Sequence, residues 1–233
     1  GFRVNCPPFN DPRVRRALVL AADREALADV LWRGYVSPAT GGFVPPGMPG
    51  HSEGIALPYD PEAARRLLAQ AGYPDGEGFP TLDCIVRDDF GHDIMSEQLQ
   101  TLWLENLGVD IRWQVVQWKD FPIRMREQLP HIYLTGYWAD YPDPDDMLRV
   151  LWWLPPGWQN EAYNQLVGAA QRALDQEERI PMYQQADRIL IEEAPILPLC
   201  YGRFHMLVKP WVKNYFANPR KWWFLKDVVL EAH

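Results

Sequence analysis

Cysteine is scarce in this chain, and what there is forms no pattern. Cys6, Cys84 and Cys200 include no CxxC pair and no metal-ligand spacing. An odd number cannot all pair within one chain, so they read as mostly buried free thiols with room for one disulfide. Long apolar runs are missing too: no stretch reaches the ~20 residues that a membrane span needs. Nothing at the N-terminus resembles a signal peptide. The opening Gly-Phe-Arg-Val-Asn, without methionine, reads as the start of a piece cut from a longer chain. Positive charge is in the minority, 23 Lys and Arg against 31 Asp and Glu, for a formal charge of −8. That balance excludes the concentrated basic face of a nucleic-acid surface and is compatible with cationic or peptide-like ligands.

What is present points to a globular chain. Hydrophobic residues make up 47% of 233 positions, enough for a substantial core in one large or two small domains. Eleven tryptophans serve a Trp-rich core or an aromatic cleft equally well.

Taken in order, residues 1–10 read as an extended lead-in. Asp11 followed by Pro12 is a strong helix start. Val14, Ala17, Leu18, Leu20 and Ala21 give that helix an apolar stripe. A second segment runs from Asp23 through Leu27, Val30 and Leu31 to Gly34, with Arg13, Arg15, Arg16 and Arg24 as the solvated face. Residues 35–59, with Gly41-Gly42, Pro45-Pro46-Gly47 and Pro49-Gly50, read as a long irregular loop in which His51 is solvated. Asp60-Pro61 starts another helix that Gly72 ends. A strand is expected over Leu82 to Val86 and an amphipathic helix over 91–107. Residues 109–115 read as a half-buried strand with Val109, Ile111, Trp113 and Val115 facing inward. A helix near Asp120–Glu127 and a strand over 131–137 follow, then helices over 161–174 and 177–194 beyond a loop from Trp152 to Trp158. Pro195 to Tyr201 reads as a short buried strand. This alternation predicts an α/β layer structure. The tail from Met206 mixes Lys209, Lys213, Arg220, Lys221 and Lys226 with Trp211, Trp222 and Trp223, and reads as a strand pair.

The most informative stretch is Gly136-Tyr137-Trp138-Ala139-Asp140-Tyr141-Pro142-Asp143-Pro144-Asp145-Asp146, between a strand and a helix. Asp143 or Asp145 suits the helix cap. Asp140 precedes the helix and is flanked by Tyr137, Trp138 and Tyr141, so capping does not account for it. A carboxylate among aromatic faces suits a ligand's ammonium group, because the charge pairs while the rings add cation–π attraction. The competing reading is that Asp140 ties down its own turn.

Several segments resemble the family 5 extracellular solute-binding proteins, the oligopeptide, dipeptide and nickel receptors of ABC importers. They are Phe9 to Leu18, Ala22-Asp23-Arg24-Glu25, Gly34 with Pro45-Pro46-Gly47, Tyr59 to Ala64 with Leu67-Leu68 and Ala71-Gly72-Tyr73, the Asp140 stretch, Glu193 to Leu199, and Val208-Lys209-Pro210-Trp211-Val212. Seven pieces in the family's order cover nearly the whole chain.

The resemblance implies a periplasmic-binding-protein-like α/β fold (type II, class C), here the second lobe, with a mixed β-sheet flanked by helices. Residues 1–9 would lead in from the hinge, 10–205 would form the C-terminal ligand-binding lobe, and 206–233 would return toward an N-terminal lobe. Asp140 matches the position that pairs with a peptide's α-ammonium in peptide-binding members. Tyr137, Trp138, Tyr141 and Tyr201 would supply aromatic walls, although around Cys200-Tyr201-Gly202 the family is often richer in tyrosine. No arginine stands at Tyr133–Thr135, so recognition of a ligand carboxylate does not carry over from there.

The implied function is capture of a small peptide or other small solute by a clamp and delivery to an ABC permease. No catalysis, cofactor, resident metal or nucleic acid is implied. The implied address is periplasmic or extracellular, membrane-anchored as in a lipoprotein. Competing readings are a ligand-sensing domain of a regulator, a receptor for a sugar or metal chelate, and a hydrolase using His92 with Asp88, Asp89 or Asp93. No nucleophile motif accompanies that histidine, and prolines break any metal spacing in 140–146.

Overall fold

The computed structural model describes residues 1–32, 36–89, 91–150, 157–203, 206–215 and 225–232. The side chains of Val30, Leu31 and Trp32 lie outside that description, as do Gly34, Trp152, Trp153, Arg220, Lys221, Trp222 and Trp223.

Two helices start on the same device. Asp11 accepts the Arg13 N–H at 2.8 Å ahead of α1 (Pro12–Leu20), and Asp60 accepts the Ala63 N–H at 2.8 Å ahead of α3 (Pro61–Gln70). In both, proline fills a position whose N–H would have no partner. Their apolar stripes, Val14, Ala17 and Leu18 against Ala64 and Leu68, meet in the larger core. Between them lies α2 (Arg24–Trp32), and then β1 (Val36–Pro38).

Of the four arginines expected on the solvated face, only Arg13 is exposed. Arg15 and Arg24 are buried, and their guanidiniums bond carbonyls: Arg15 those of Phe9 and Glu193, Arg24 those of Leu57 and Pro198. Arg16 reaches the Glu192 carbonyl. Arg15 and Arg16 thus satisfy carbonyls left over at the C-terminal end of α8 (Gln176–Glu193), where cations are also favoured by the helix dipole.

The central sheet has the order β3-β2-β4, all parallel, with β2 (Cys84–Arg87), β3 (Trp113–Val116) and β4 (Ile132–Leu134). Cys84 is in register with both Trp113 and Ile132. α4 (His92–Leu107) and α5 (Phe121–Glu127) make the two crossovers and cover opposite faces. Cys84, Val86, Ile132 and Leu134 pack with Met95, Leu99 and Trp103; Ile85 and Tyr133 pack with Phe121 and Val116. Burial on both faces is why β2 reads as a continuous apolar run. An antiparallel bridge from Phe2 to Ile132 makes the sheet mixed.

A smaller core joins α6 (Pro144–Arg149), α7 (Glu161–Ala170) and α8 through Leu148, Tyr163, Val167, Tyr183, Ala186 and Leu190, with Val44 from the long loop. Asp187 of α8 reaches into that loop, where its carboxylate accepts the Phe43 and Val44 N–H groups at 2.8 and 3.3 Å. The tail carries the expected strand pair, β6 (Val212–Lys213) and β7 (Val229–Leu230), which run antiparallel.

Two strand expectations need correction. Strand pairing in the Pro195–Tyr201 region is confined to β5 (Cys200–Gly202), which pairs with β1 inside the supposedly irregular 35–59 loop. Pro195 and Pro198 have no N–H for a ladder. The inward alternation expected over 109–115 also breaks: Val109 and Ile111 are buried, but Val115 is 60% exposed and Val116 takes the inner position. Trp113 still packs on the same core as Val109 and Ile111, whereas Val116 is buried on the opposite face of the sheet with Ile85, Phe121 and Tyr133. The three cysteines are free thiols, Cys84 buried and the others half-buried.

Candidate functional site

In a parallel sheet the backbone at the carboxyl ends of the strands is where ligand-binding loops gather. Here β4 ends at Leu134 and the chain crosses without regular structure to α6. The acids on this crossing have separate roles.

Asp143 is the helix cap. It accepts the Asp145 N–H at 2.9 Å and holds Arg179 of α8 through two bonds of 2.6 and 2.7 Å. That pairing raises the Arg179 pKa further. Asp145 is buried and saturated, accepting from the Tyr141 hydroxyl at 2.7 Å, Gln171 Nε2 at 2.8 Å and the Tyr183 hydroxyl at 3.0 Å. Burial opposes its ionisation, but these donors outweigh burial and hold the carboxyl below its usual range. Asp146 is 1% exposed and faces back along the crossing. Its Oδ2 accepts the Asp140 backbone N–H at 2.7 Å and the Tyr137 hydroxyl at 3.1 Å.

Asp140 contrasts with all three. It is exposed, and its carboxylate has no hydrogen bond or ion pair among the described residues. Tyr137 and Trp138, 36% and 42% exposed, lie beside it in the chain. Burial and then the Asp146 charge push the Tyr137 phenol pKa well up, so the ring stays neutral.

The other aromatic candidates are partly committed. Tyr141 gives its hydroxyl to Asp145, and the Arg149 guanidinium sits 5.8 Å from its ring centre. The Trp138 ring lies over Gly202, where an added Cβ would stand 3.3 Å from Cη2. Tyr201, one residue earlier on β5, bonds the Gly42 carbonyl at 2.5 Å and meets the His51 ring edge-on. The crossing therefore carries Tyr137, Trp138 and Asp140 as exposed residues, while the Tyr201 hydroxyl belongs to the 41–52 loop. His51 is half-buried rather than solvated, with Nδ1 2.6 Å from the Val44 carbonyl.

A second charged group lies at the ends of the neighbouring strands. Arg87 closes β2, donating from Nε to Asp89 at 2.6 Å with its guanidinium 5.9 Å from the Trp118 ring centre. His92 is buried beside Gly136 with Nδ1 3.0 Å from the same Asp89 oxygen. Burial lowers its pKa against the pull of Asp89, favouring the neutral ring. Of the acids a hydrolytic histidine would use, Asp89 bonds the ring, while Asp88 accepts the Trp118 N–H. Among the described residues no three His, Cys, Asp or Glu side chains form a metal-binding group.

Sequence reading missed Asp146 and Arg87. Arg87 was findable, because parallel pairing sets the end of β2 beside the end of β4. For Asp146 no local signal separates it from its neighbour Asp145.

The family model of bacterial extracellular solute-binding proteins, family 5 middle, matches residues 1–156. Among curated relatives, di/tripeptide-binding protein 3 of Pseudomonas aeruginosa is 29% identical over 94% of this chain and 43% of its own length. Heme-binding protein A of Haemophilus influenzae is 28% identical over 94% of this chain and 42% of its own. The solved structure of HbpA2 from Haemophilus parasuis superposes with a TM-score of 0.86 at 25% identity, covering 100% of this chain and 47% of that one. The chain thus spans less than half the length of these relatives.

Proposed function

Because the chain belongs to the family 5 bacterial extracellular solute-binding proteins, we propose that it forms the C-terminal lobe of an ABC importer's receptor and holds a short peptide by its α-ammonium group. The observation that carries this reading is the state of Asp140: exposed and unpaired among the described residues, beside two exposed aromatic rings, while its three neighbouring acids are committed to the fold. An ammonium seated there gains a charge-assisted hydrogen bond and cation–π attraction. Arg87 ends the adjacent strand β2, and we assign it to the other end of a zwitterion. The name of the Pseudomonas relative supports the peptide class.

Residues 1–9 form the lead-in at the hinge, 10–205 the lobe and 206–233 the return to a partner lobe. The exposed Leu207, Val208, Leu225, Val229 and Leu230 support a cover over that last segment. Closure of two lobes buries the ligand, and the receptor delivers it to the permease from a periplasmic or extracellular, membrane-anchored position.

Titration calorimetry of the full-length protein with pooled di- and tripeptides, unblocked and N-acetylated, tests the reading. Unblocked peptides are expected to bind about tenfold tighter, the worth of one charge-assisted bond. Equal affinity for the two pools would remove the ammonium from the site. A second reading, a metal chelate such as haem, rests on the name of the Haemophilus influenzae relative. It predicts haem binding with no response to either peptide pool.

A further inference from the structure

Asp146 stands apart from the helix that carries it. It lies in the first turn of α6, yet its side chain does not cap that turn, which Asp143 already does. One oxygen, Oδ2, takes both the Asp140 N–H at 2.7 Å and the Tyr137 hydroxyl at 3.1 Å. The other, Oδ1, is buried without a hydrogen bond, with Arg149 at 3.8 Å. A buried carboxylate that leaves one oxygen without a hydrogen bond is costly to keep. This one spends its hydrogen bonds on the two groups that the ligand would meet.

Building on the peptide reading above, we infer that Asp146 is a positioning residue that fixes the Asp140 carboxylate and the Tyr137 ring for the ligand's ammonium. The support runs from the core outward through one chain of contacts. Arg179 of α8 grips Asp143, Asp143 caps α6, Leu148 seats α6 in the smaller core, and Asp146 reaches from α6 to the crossing. Asp140 thereby has a fixed backbone while its side chain stays exposed. A site held this way loses little conformational freedom on binding. The negative charge of Asp146 behind the crossing adds to the attraction for a cation, partly offset by Arg149.

The test compares unblocked with N-acetylated di- and tripeptide pools on full-length wild type, Asp140→Asn, Asp146→Ala and Asp146→Asn. Wild type is expected to favour unblocked peptides about tenfold, and Asp140→Asn to lose that preference. Asp146→Ala should also lose it while binding the N-acetylated pool as wild type does. Asp146→Asn keeps an amide oxygen for both donors and should retain the preference within about threefold. A purely structural role predicts instead that Asp146→Ala weakens both pools equally, and that result overturns the inference. So does an intact preference in Asp146→Ala. In both cases the peptide reading stands if Asp140→Asn has lost the preference. A wild type without preference overturns the reading and the inference together. Should Asp146→Ala not fold, amide exchange on wild type decides: the Asp140 N–H is expected to exchange at least about tenfold slower than exposed neighbours, and an unprotected amide refutes the inference.

Discussion

Among the described residues Asp-Pro opens three helices, and the third differs from the other two. At α1 and α3 one aspartate caps, one proline follows, and the acid has no further role beyond local pairing. At α6 the same pair, Asp143 and Pro144, is preceded by Asp140 and followed by Asp145 and Asp146. The helix needs only one cap. The surplus acids have been drawn into the core, Asp145 toward Tyr141, Gln171 and Tyr183, and Asp146 toward the crossing. Of these four acids, Asp140 alone keeps an exposed carboxylate with no hydrogen bond or ion pair among the described residues. The repeated motif supplies the baseline of an ordinary helix start, and the departure from it marks the candidate site.

The comparison can be broken by removing its members in turn. Asp145→Ala should cost most, about 3 kcal/mol, because it strands the buried Tyr183 and half-buried Tyr141 hydroxyls and removes the bond from Gln171. Chemical denaturation at neutral pH measures it. The pairing also fixes a pH dependence. Its pKa is lowered on folding, so its contribution is present above the ordinary carboxylate pKa and is lost as pH falls through the folded value. Asp145→Asn should flatten that part of the acid limb.

Asp187 has the opposite sign and a similar size. Burial raises its pKa to about 6, against the hydrogen bonds from Phe43 and Val44. The folded state therefore binds the proton more tightly than the unfolded chain, and this residue's contribution falls as pH rises from about 4 through about 6. The full span is about 3 kcal/mol. Thermal midpoints of wild type and Asp187→Asn should diverge across that window, and parallel curves would contradict the assignment.

The ordinary caps come next. Asp60→Ala should lose about 1 kcal/mol by denaturation, with the cap bond to Ala63 as its cause. Asp140→Asn should be smallest, within about 0.5 kcal/mol, as for an exposed side chain with no hydrogen bond or ion pair among the described residues.

Much of the fold is legible in the sequence because its signals are local. Asp11-Pro12 and Asp60-Pro61 name their helices, and the Cys84–Val86 run names a strand buried on both faces. Where partners are distant, local reading fails. Arg15 and Arg24 look like solvated charges until α8 and the chain after it bring carbonyls 178 and 174 residues away. β1 is three residues in a Gly/Pro-rich loop and exists only because β5 pairs with it. In the candidate site, Asp140 stood out by its aromatic neighbours. Asp146 looked like one acid among several, because its role depends on the chain folding back six residues.

The most direct measurement is calorimetric titration of the full-length Asp140→Asn protein with unblocked short peptides, beside its thermal midpoint. The account predicts an unchanged midpoint with affinity reduced about tenfold or more. Affinity equal to wild type at an unchanged midpoint would contradict it, leaving Asp140 as an exposed turn residue.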